Sequence, residues 1–351
     1  MADRPASFRF VPQTLLLVLV AAGSLFTLQS QAQPVRILPK PADAPLVWKR
    51  LIGIYAGGSD SVYVAEERGH LCLITKKLEV ADLRQIRGER YAVDRTGVLG
   101  DSVVVFHRSP DGRASDFVAG TRTFRRLVVG NENGKSFHIK PLKPAAELRK
   151  IALAATPPNE TGDFLKPDLV DLSTLDPTIK FDIRYASTNN FVGEKFYSMA
   201  KAFLQRPAAE ALVRAHRWLK SYGFGLLIHD AYRPWYVTKM FWDATPDDKK
   251  IFVANPKDGS RHNRGCAVDL TLYDLKTGKQ VEMTGGYDEM SERSYPSFPG
   301  GTSLERWHRG LLQEAMEMQG FKVFPWEWWH FDYKDWKNYP IGTKTFEGLI
   351  Q

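Results

Sequence analysis

The sequence predicts an α+β protein in which a β-rich region precedes a half that mixes helices and strands. Short apolar runs separated by Gly-rich or polar turns fill residues 46–140, the pattern of a small β-rich domain. After residue 168, helical and strand patterns mix without regular strand–helix–strand alternation, which favours the α+β class. The 351 residues are 43% hydrophobic and 25% charged, a balance that excludes a disordered or fibrous protein.

The first 32 residues are predicted to be a signal peptide. Arg4 and Arg9 supply a positive start, an apolar stretch covers residues 11–28, and Ser30 and Ala32 are the small residues that a signal peptidase needs. The alternative is a retained anchor helix, but this stretch of about 18 residues is short for a span of about 20. We therefore expect a periplasmic or secreted protein with no membrane span after cleavage.

Residues 33–145 are predicted to form a β-rich accessory domain, and residues 146–167 a helix and Pro-rich linker. The predicted strands cover residues 46–55, 61–66, 71–75, 103–107, 124–129 and 136–139. Their pattern leaves the role of this domain open between a docking module, a lid and an element that adds stability.

Charge and cysteine content exclude two classes of protein. The net charge of +8 is scattered, with no basic run and no basic helix interleaved with aromatics, so no nucleic-acid partner is expected. The two cysteines, Cys72 and Cys266, cannot form a disulfide framework. Because they fall in different predicted domains, we expect two free, buried thiols.

Residues 168–351 are predicted to form a second domain that contains both helices and strands. A helix opens at Pro207 and ends at Gly223, and a capping box of Thr302 and Glu305 opens another. The predicted strands cover residues 225–228, 268–273, 321–324 and 329–333.

The segment from Ser260 to Asp269 contains the first candidate site residues. His262 lies in a predicted loop, and Asp269 lies inside an apolar strand. A buried carboxylate is costly unless it is paired or bound to a cation, so Asp269 is either a metal ligand or the partner of an arginine.

The segment Trp326-Glu327-Trp328-Trp329-His330 contains the second pair. In a regular strand Glu327 and His330 point to opposite faces, whereas a bend would bring them together. His330 would then be a metal ligand and Glu327, inside aromatic walls that raise its pKa, would move a proton.

Together, His262, Asp269 and His330 supply two imidazoles and one carboxylate. Three protein ligands leave a fourth position for water, which is typical of catalytic rather than structural zinc. Arg233 follows a buried strand and is expected to stabilise an oxyanion near the metal. The alternative for Arg233 is an ion pair that holds its loop.

Three motifs resemble the D-alanyl-D-alanine dipeptidases, a zinc family related to the D,D-carboxypeptidases. They are Asp230-x-Tyr232-Arg233-Pro234, Ser260-x-His262-x-x-Gly265-x-Ala267-x-Asp269 and Glu327-x-Trp329-His330. The resemblance covers roughly residues 168–345 and leaves the β-rich region uncovered. It implies a small antiparallel sheet flanked by helices and one Zn²⁺ per chain bound by His262, Asp269 and His330.

The same resemblance implies site roles and a substrate. Glu327 would act as general base and then acid, Arg233 would stabilise the transition state, and Asp288 would face the free ammonium of a short dipeptide. Ser260 would either donate to the substrate carboxylate or fix its loop. Two alternatives stay open: a D,D-carboxypeptidase or endopeptidase acting on peptidoglycan, and a protein that binds cell-wall fragments with a vestigial zinc site.

Overall fold

The computed structural model describes residues 39–94, 99–100, 102–130 and 138–350. The predicted signal peptide, residues 1–32, lies outside the described residues. Residues 46–49, predicted to begin a strand, instead form a short helix, α1 (Leu46–Lys49), that opens directly after Pro45. Proline is well suited to the start of a helix because its fixed φ is compatible with the first turn.

Eight antiparallel strands then close into a barrel. Each strand pairs with the next, and the last strand returns to pair with the first, where Leu127 lies opposite Ile54. The strands are β1 (Gly53–Gly57), β2 (Asp60–Glu67), β3 (His70–Thr75), β4 (Val80–Arg87), β5 (Arg90–Val93), β6 (Val103–Arg108), β7 (Ala114–Ala119) and β8 (Arg122–Leu127). The β-rich region is therefore a closed barrel, a topology that the strand pattern did not predict.

Aromatic side chains fill the centre of the barrel. The rings of Phe117 and Phe124 stack with centroids 4.8 Å apart, and Tyr55 and Phe106 complete the cluster. These side chains are fully buried, and burying an aromatic side chain in this way contributes several kcal/mol to folding.

The C-terminal unit, residues 145–350, contains four helices of ten or more residues and two sheets among the described residues. The elements in chain order are α2 (Ala145–Ala154), β9 (Leu169–Asp171), β10 (Lys180–Phe181), β11 (Phe203–Gln205), α3 (Arg206–Lys220), β12 (Phe224–Asp230), α4 (Trp235–Ala244), β13 (Ala267–Asp274), α5 (Ser303–Glu317), β14 (Phe321–Phe324) and β15 (Glu327–Tyr333). The main sheet has the order β10-β12-β13-β15-β14, and β9 pairs separately with β11.

The main sheet is mostly antiparallel. The pairs β12–β13, β13–β15 and β14–β15 are antiparallel, and β10 adds one short parallel pair to β12. The helices α3 and α5 contact this sheet and each other. The capping box at the start of α5 is present, with Thr302 and Glu305 each bonding the other's backbone.

Two further observations complete the description. Cys72 in the barrel and Cys266 in the C-terminal unit are both free and buried. Among the described residues, no helix combines the length and the apolar character that crossing a bilayer requires.

Candidate active site

Three neighbouring strands of the main sheet bring the predicted site residues to one place. Asp230, at the end of β12, lies opposite Asp269 of β13, and Asp269 lies opposite His330 of β15. His262 comes from the single helical turn Arg261–Arg264 that precedes β13. Cross-strand neighbours have side chains about 5 Å apart, so this register alone places Asp269 beside His330.

The three predicted metal ligands meet in a buried cluster. Nδ1 of His330 lies 3.1 Å from Nε2 of His262 and 3.0 Å from Oδ1 of Asp269. Nε2 of His262 lies 3.4 Å from the same carboxylate oxygen. One ligand atom from each residue therefore faces a common point, and these atoms all lie within 4.8 Å of one another.

Hydrogen bonds on the outer side of the cluster fix which ring nitrogens face inward. His262 Nδ1 lies 2.7 Å from the backbone oxygen of Ala231, and His330 Nε2 lies 2.9 Å from Oδ1 of Asp332. Each outer nitrogen must carry the proton that it donates, which leaves an acceptor lone pair on the inner nitrogen. This holds while both rings are neutral, when the two inner nitrogens and the Asp269 carboxylate could bind one metal ion; without a metal, Nδ1 of His330 can instead donate to Oδ1 of Asp269 at 3.0 Å.

The pKa values of the cluster reflect the close pairing of its opposite charges. Burial alone would raise the pKa of Asp269, but His262 and His330 hold that pKa well below its usual range. Burial alone would lower the pKa of His330, but hydrogen bonds with Asp269 and Asp332 raise it to about 10. Two imidazoles and one carboxylate fit Zn²⁺ with a position left for water or substrate.

Glu327 lies at the start of β15, beside the cluster. Its Oε2 is 3.8 Å from Nδ1 of His330. The pairing of β14 with β15 becomes irregular where Phe324 meets Glu327, so the strand does not keep strict alternation there. Glu327 and His330 therefore converge, which is the bent alternative of the sequence analysis. Burial raises the pKa of Glu327, against the opposing charge of His330.

Arg233 is held rigidly at the edge of the same cleft. Its Nε and Nη2 donate to Oδ2 of Asp230 at 3.1 and 2.7 Å, and its guanidinium lies over the ring of Phe241. Burial alone would lower the pKa of Arg233, but the Asp230 carboxylate raises it well above its usual value. Arg233 therefore forms the ion pair with Asp230 and also lines the cleft. It is a fixed cation that faces the cluster.

A cleft of about 530 Å³ connects these groups with Asp288 and Ser260. Asp288 has a left-handed backbone, with φ of 54°, and its Oδ2 accepts a hydrogen bond of 3.0 Å from the hydroxyl of Tyr185. Ser260 caps the helical turn, and its Oγ accepts from the backbone N–H of His262 at 3.3 Å. Both side chains also line the cleft.

Two site residues escaped the sequence analysis. The hydroxyl of Tyr287 donates to Oδ2 of Asp269 at 2.9 Å, and Asp332 joins His330 to Arg261 by hydrogen bonds of 2.9 and 2.8 Å. Asp332 could have been identified from the sequence, because it lies two positions after His330 and such residues of a strand share a face. Tyr287 had none, since it reaches the site from a loop.

Comparisons with known proteins cover the C-terminal unit. Residues 166–346 match the family described as D-ala-D-ala dipeptidase. The D-alanyl-D-alanine dipeptidase of Escherichia coli is 36% identical over 183 residues, which are 52% of this chain and 93% of that protein. The D-alanyl-D-alanine dipeptidase of Enterococcus faecium is 33% identical over 183 residues, 46% of this chain and 89% of that protein. The one from Streptomyces coelicolor is 33% identical over 193 residues, 50% of this chain and 93% of that protein.

Proposed function

Because this chain belongs to the D-Ala-D-Ala dipeptidase family of peptidases, we propose that it hydrolyses D-alanyl-D-alanine or a similar short dipeptide in a zinc-dependent reaction. The observation that carries the proposal is the convergence of one potential ligand atom from each of His262, Asp269 and His330. These three residues would hold one Zn²⁺ per chain. When bound, zinc supplies a Lewis acid that polarises the scissile carbonyl and lowers the pKa of water.

The protein's own groups would divide the remaining work. Glu327, 3.8 Å from His330, would take the proton of the attacking water and pass it to the leaving amine. Arg233 would stabilise the oxyanion that develops on the carbonyl, because its guanidinium is fixed by Asp230 before substrate arrives. No reorganisation of this cation would then be needed during the reaction.

Asp288 supports recognition of the amino end of a dipeptide. Its carboxylate lies in the cleft with two other acids, Asp269 and Glu327, and burial together with those charges raises its pKa well above its usual value. A substrate ammonium would relieve this excess of negative charge. Ser260, on the same cleft wall, would either donate to the substrate carboxylate or serve only to cap its turn.

Glu327→Ala tests the proposal. The variant should lower kcat by about 10²–10⁴-fold, the usual contribution of a general base, while one zinc stays bound. Dipeptide hydrolysis and zinc content by atomic absorption would be measured on the same samples. Glu317→Ala, a change on the exposed face of α5, serves as the control and should match the wild type. Full activity in zinc-loaded Glu327→Ala protein would refute the role of Glu327.

A substrate panel separates this activity from hydrolysis of cell-wall peptides. D,D-, L,D- and L,L-dipeptides would be compared with a muropeptide that ends in D-Ala-D-Ala. If Asp288 binds the free ammonium of the substrate, D-Ala-D-Ala should be cleaved and the muropeptide should not. Preferential cleavage of the muropeptide would instead favour a D,D-carboxypeptidase or endopeptidase.

The predicted signal peptide, residues 1–32, supports a periplasmic or secreted location as part of the same proposal. Expression of the full chain, followed by cell fractionation and N-terminal sequencing, should recover a protein that begins at Gln33. Recovery of the uncleaved chain in the cytoplasm would contradict the location.

A further inference from the structure

One of the places where the barrel contacts the C-terminal unit is the loop of residues 283–295, which we call the recognition loop. This loop contains Tyr287 and Asp288, so one of its sides faces the candidate active site. Its other side faces the barrel. The contacts on the two sides can therefore be compared residue by residue.

On the barrel side, Glu292 is the main point of contact. Its Oε2 accepts a hydrogen bond of 2.7 Å from the hydroxyl of Tyr63 and forms a salt bridge with Lys76. The ring of Tyr63 also meets the ring of Phe298 edge-on, with centroids 5.2 Å apart. Both barrel residues belong to the β2–β3 hairpin or the turn after it, so this end of the barrel holds the loop directly.

Inside the loop, the buried carboxylate of Glu289 bonds to the backbone before Asp288 and to a side chain after it. Its Oε2 accepts from the N–H of Gly286 at 2.7 Å, and its Oε1 accepts from the hydroxyl of Ser291 at 2.6 Å. Gly130, which follows β8 of the barrel, lies directly against this carboxylate, so a methyl group added to Gly130 would overlap Glu289. The barrel thus limits where Glu289 can lie.

On the active-site side, the two residues before Glu289 make the functional contacts. Tyr287 donates to Asp269 at 2.9 Å, and Asp288 accepts from Tyr185 at 3.0 Å. The left-handed backbone of Asp288 is strained for a residue with a side chain and persists only where surrounding contacts fix it. A shift of Glu289 or Glu292 would be transmitted to Asp288 within one to four residues.

A second contact fixes the barrel to the C-terminal unit independently of the loop. The buried Glu66 of β2 accepts from the backbone N–H of Ser303 at 2.7 Å, and Arg306 donates to the Glu66 backbone oxygen at 2.8 Å. Ala65 also forms a β-bridge with Gly301. The barrel is therefore attached at the start of α5 and can act as a fixed support for the loop.

From these contacts we infer that the barrel positions the recognition loop and thereby sets the affinity for the amino end of the substrate. Tyr63, Lys76 and Gly130 are positioning residues, since they act through Glu292 and Glu289 and do not touch the cleft. The substrate part of this inference rests on the proposed function, in which Asp288 binds the dipeptide ammonium. The structural part of the inference, that the barrel holds the loop, does not depend on the proposed function.

Lys76→Ala, compared with Lys77→Ala, tests the barrel contact in the zinc-loaded full chain. Loss of the Lys76 salt bridge should raise KM for D-Ala-D-Ala by about three- to tenfold, the range of coupling through a contact network, with kcat within about twofold and zinc content unchanged. Lys76→Arg should restore most of the affinity. Lys77, its exposed neighbour, has no contact with Glu292, and its replacement should leave both constants unchanged.

Gly130→Ala, compared with Gly88→Ala, tests the contact with Glu289. Both glycines are left-handed, with φ of 54° and 56°, so alanine pays a similar backbone cost at each. Only Gly130 faces Glu289, whereas an added methyl at Gly88 meets no atom within 4 Å. KM should rise in Gly130→Ala and stay at the wild-type value in Gly88→Ala.

Hydrogen–deuterium exchange gives a readout that needs no substrate. Amides of residues 283–295 should exchange faster in Lys76→Ala and Gly130→Ala than in the two control variants. Equal exchange in all four proteins would overturn the inference, whatever the enzyme cleaves. Faster exchange with no change in KM, in a protein that cleaves D-Ala-D-Ala, would overturn the affinity claim. A wild type that cleaves no dipeptide would refute the proposed function, and the exchange result would still decide whether the barrel holds the loop.

Discussion

The barrel and the C-terminal unit use their interiors differently. The barrel centre is packed with uncharged aromatic side chains such as Phe106, Phe117 and Phe124. The C-terminal unit instead buries Asp269, His262 and Arg233 where β12, β13 and β15 meet. Buried charge costs folding free energy unless it is paired, so these buried charges distinguish the candidate site from the barrel centre as far as the structure describes it.

The largest effect on stability is expected in the barrel centre. Phe106 contacts the rings of Tyr55, Tyr91 and Phe117, and Phe106→Ala should lower the free energy of unfolding by about 3–5 kcal/mol through lost contacts and a cavity. Urea unfolding would measure the loss. Because the metal cluster belongs to the other interior, zinc content of the folded protein should stay at one per chain. Loss of zinc from Phe106→Ala protein that is still folded would contradict the separation of the two interiors.

Arg233→Ala tests the opposite interior. Removal of a fixed oxyanion partner should lower kcat by about 10²–10³-fold. It should also destabilise the protein, since the buried Asp230 loses its partner. Steady-state kinetics and urea unfolding on the same preparation would measure both losses. Arg233→Lys, which keeps the charge, should recover stability better than activity. A kcat within threefold of the wild type in Arg233→Ala would remove Arg233 from the mechanism.

Acid sensitivity is also expected to arise in the C-terminal unit. His216 of α3 is buried, accepts from the N–H of Leu226 at 3.0 Å, and has a pKa lowered by burial from 6.5 to about 4. The unfolded chain binds the proton more readily than the folded protein does. The contribution of His216 to the free energy of unfolding is therefore complete above pH 6.5, and about 3 kcal/mol is lost as the pH falls toward 4.

Urea unfolding between pH 7 and pH 4.5 would measure this dependence. His216→Gln should unfold with a shallower loss on acidification than the wild type. Arg214→Gln, a surface change on the same helix, should keep the wild-type slope. An unchanged slope in His216→Gln would mean that other groups determine the acid sensitivity.

The smallest of these effects concerns the support of His330, a predicted metal ligand. Asp332 accepts from His330 and pairs with Arg261. Asp332→Asn should weaken zinc binding by about 10–100-fold, the usual effect of replacing the hydrogen-bond partner of a ligating histidine. Competition with a chromogenic chelator would measure it, and Asp335→Asn, on the turn after β15, should bind zinc as the wild type does. Unchanged affinity in Asp332→Asn would assign Asp332 a purely structural contact.

The difference between the barrel and the C-terminal unit also explains which features the sequence could predict. The three predicted metal ligands, Glu327 and Arg233 belong to short motifs with fixed spacing, and the structure brings all five into one cleft. Helix α5 was predictable because Thr302 and Glu305 form a local capping box. The residues that support these groups from a distance, such as Tyr287, leave no local pattern.

The barrel was less accessible to sequence reasoning. Strands β4, β5 and β7 were missed because exposed charged residues such as Arg84 and Arg90 interrupt their apolar positions. Closure was missed because it depends on the pairing of β1 with β8, which are far apart in the chain. The parallel strand β10 has only two residues, too few for any periodicity to show.

The closed barrel has a consequence for the behaviour of the protein at high concentration. Every strand of the barrel has two hydrogen-bonded neighbours, so it offers no free backbone edge onto which another copy could add a strand. The main sheet ends in β10, which has two residues, and in β14, which has four and exposes Lys322. Short edges and an exposed lysine both oppose intermolecular β-pairing, so the topology protects the barrel and the main sheet from edge-to-edge aggregation.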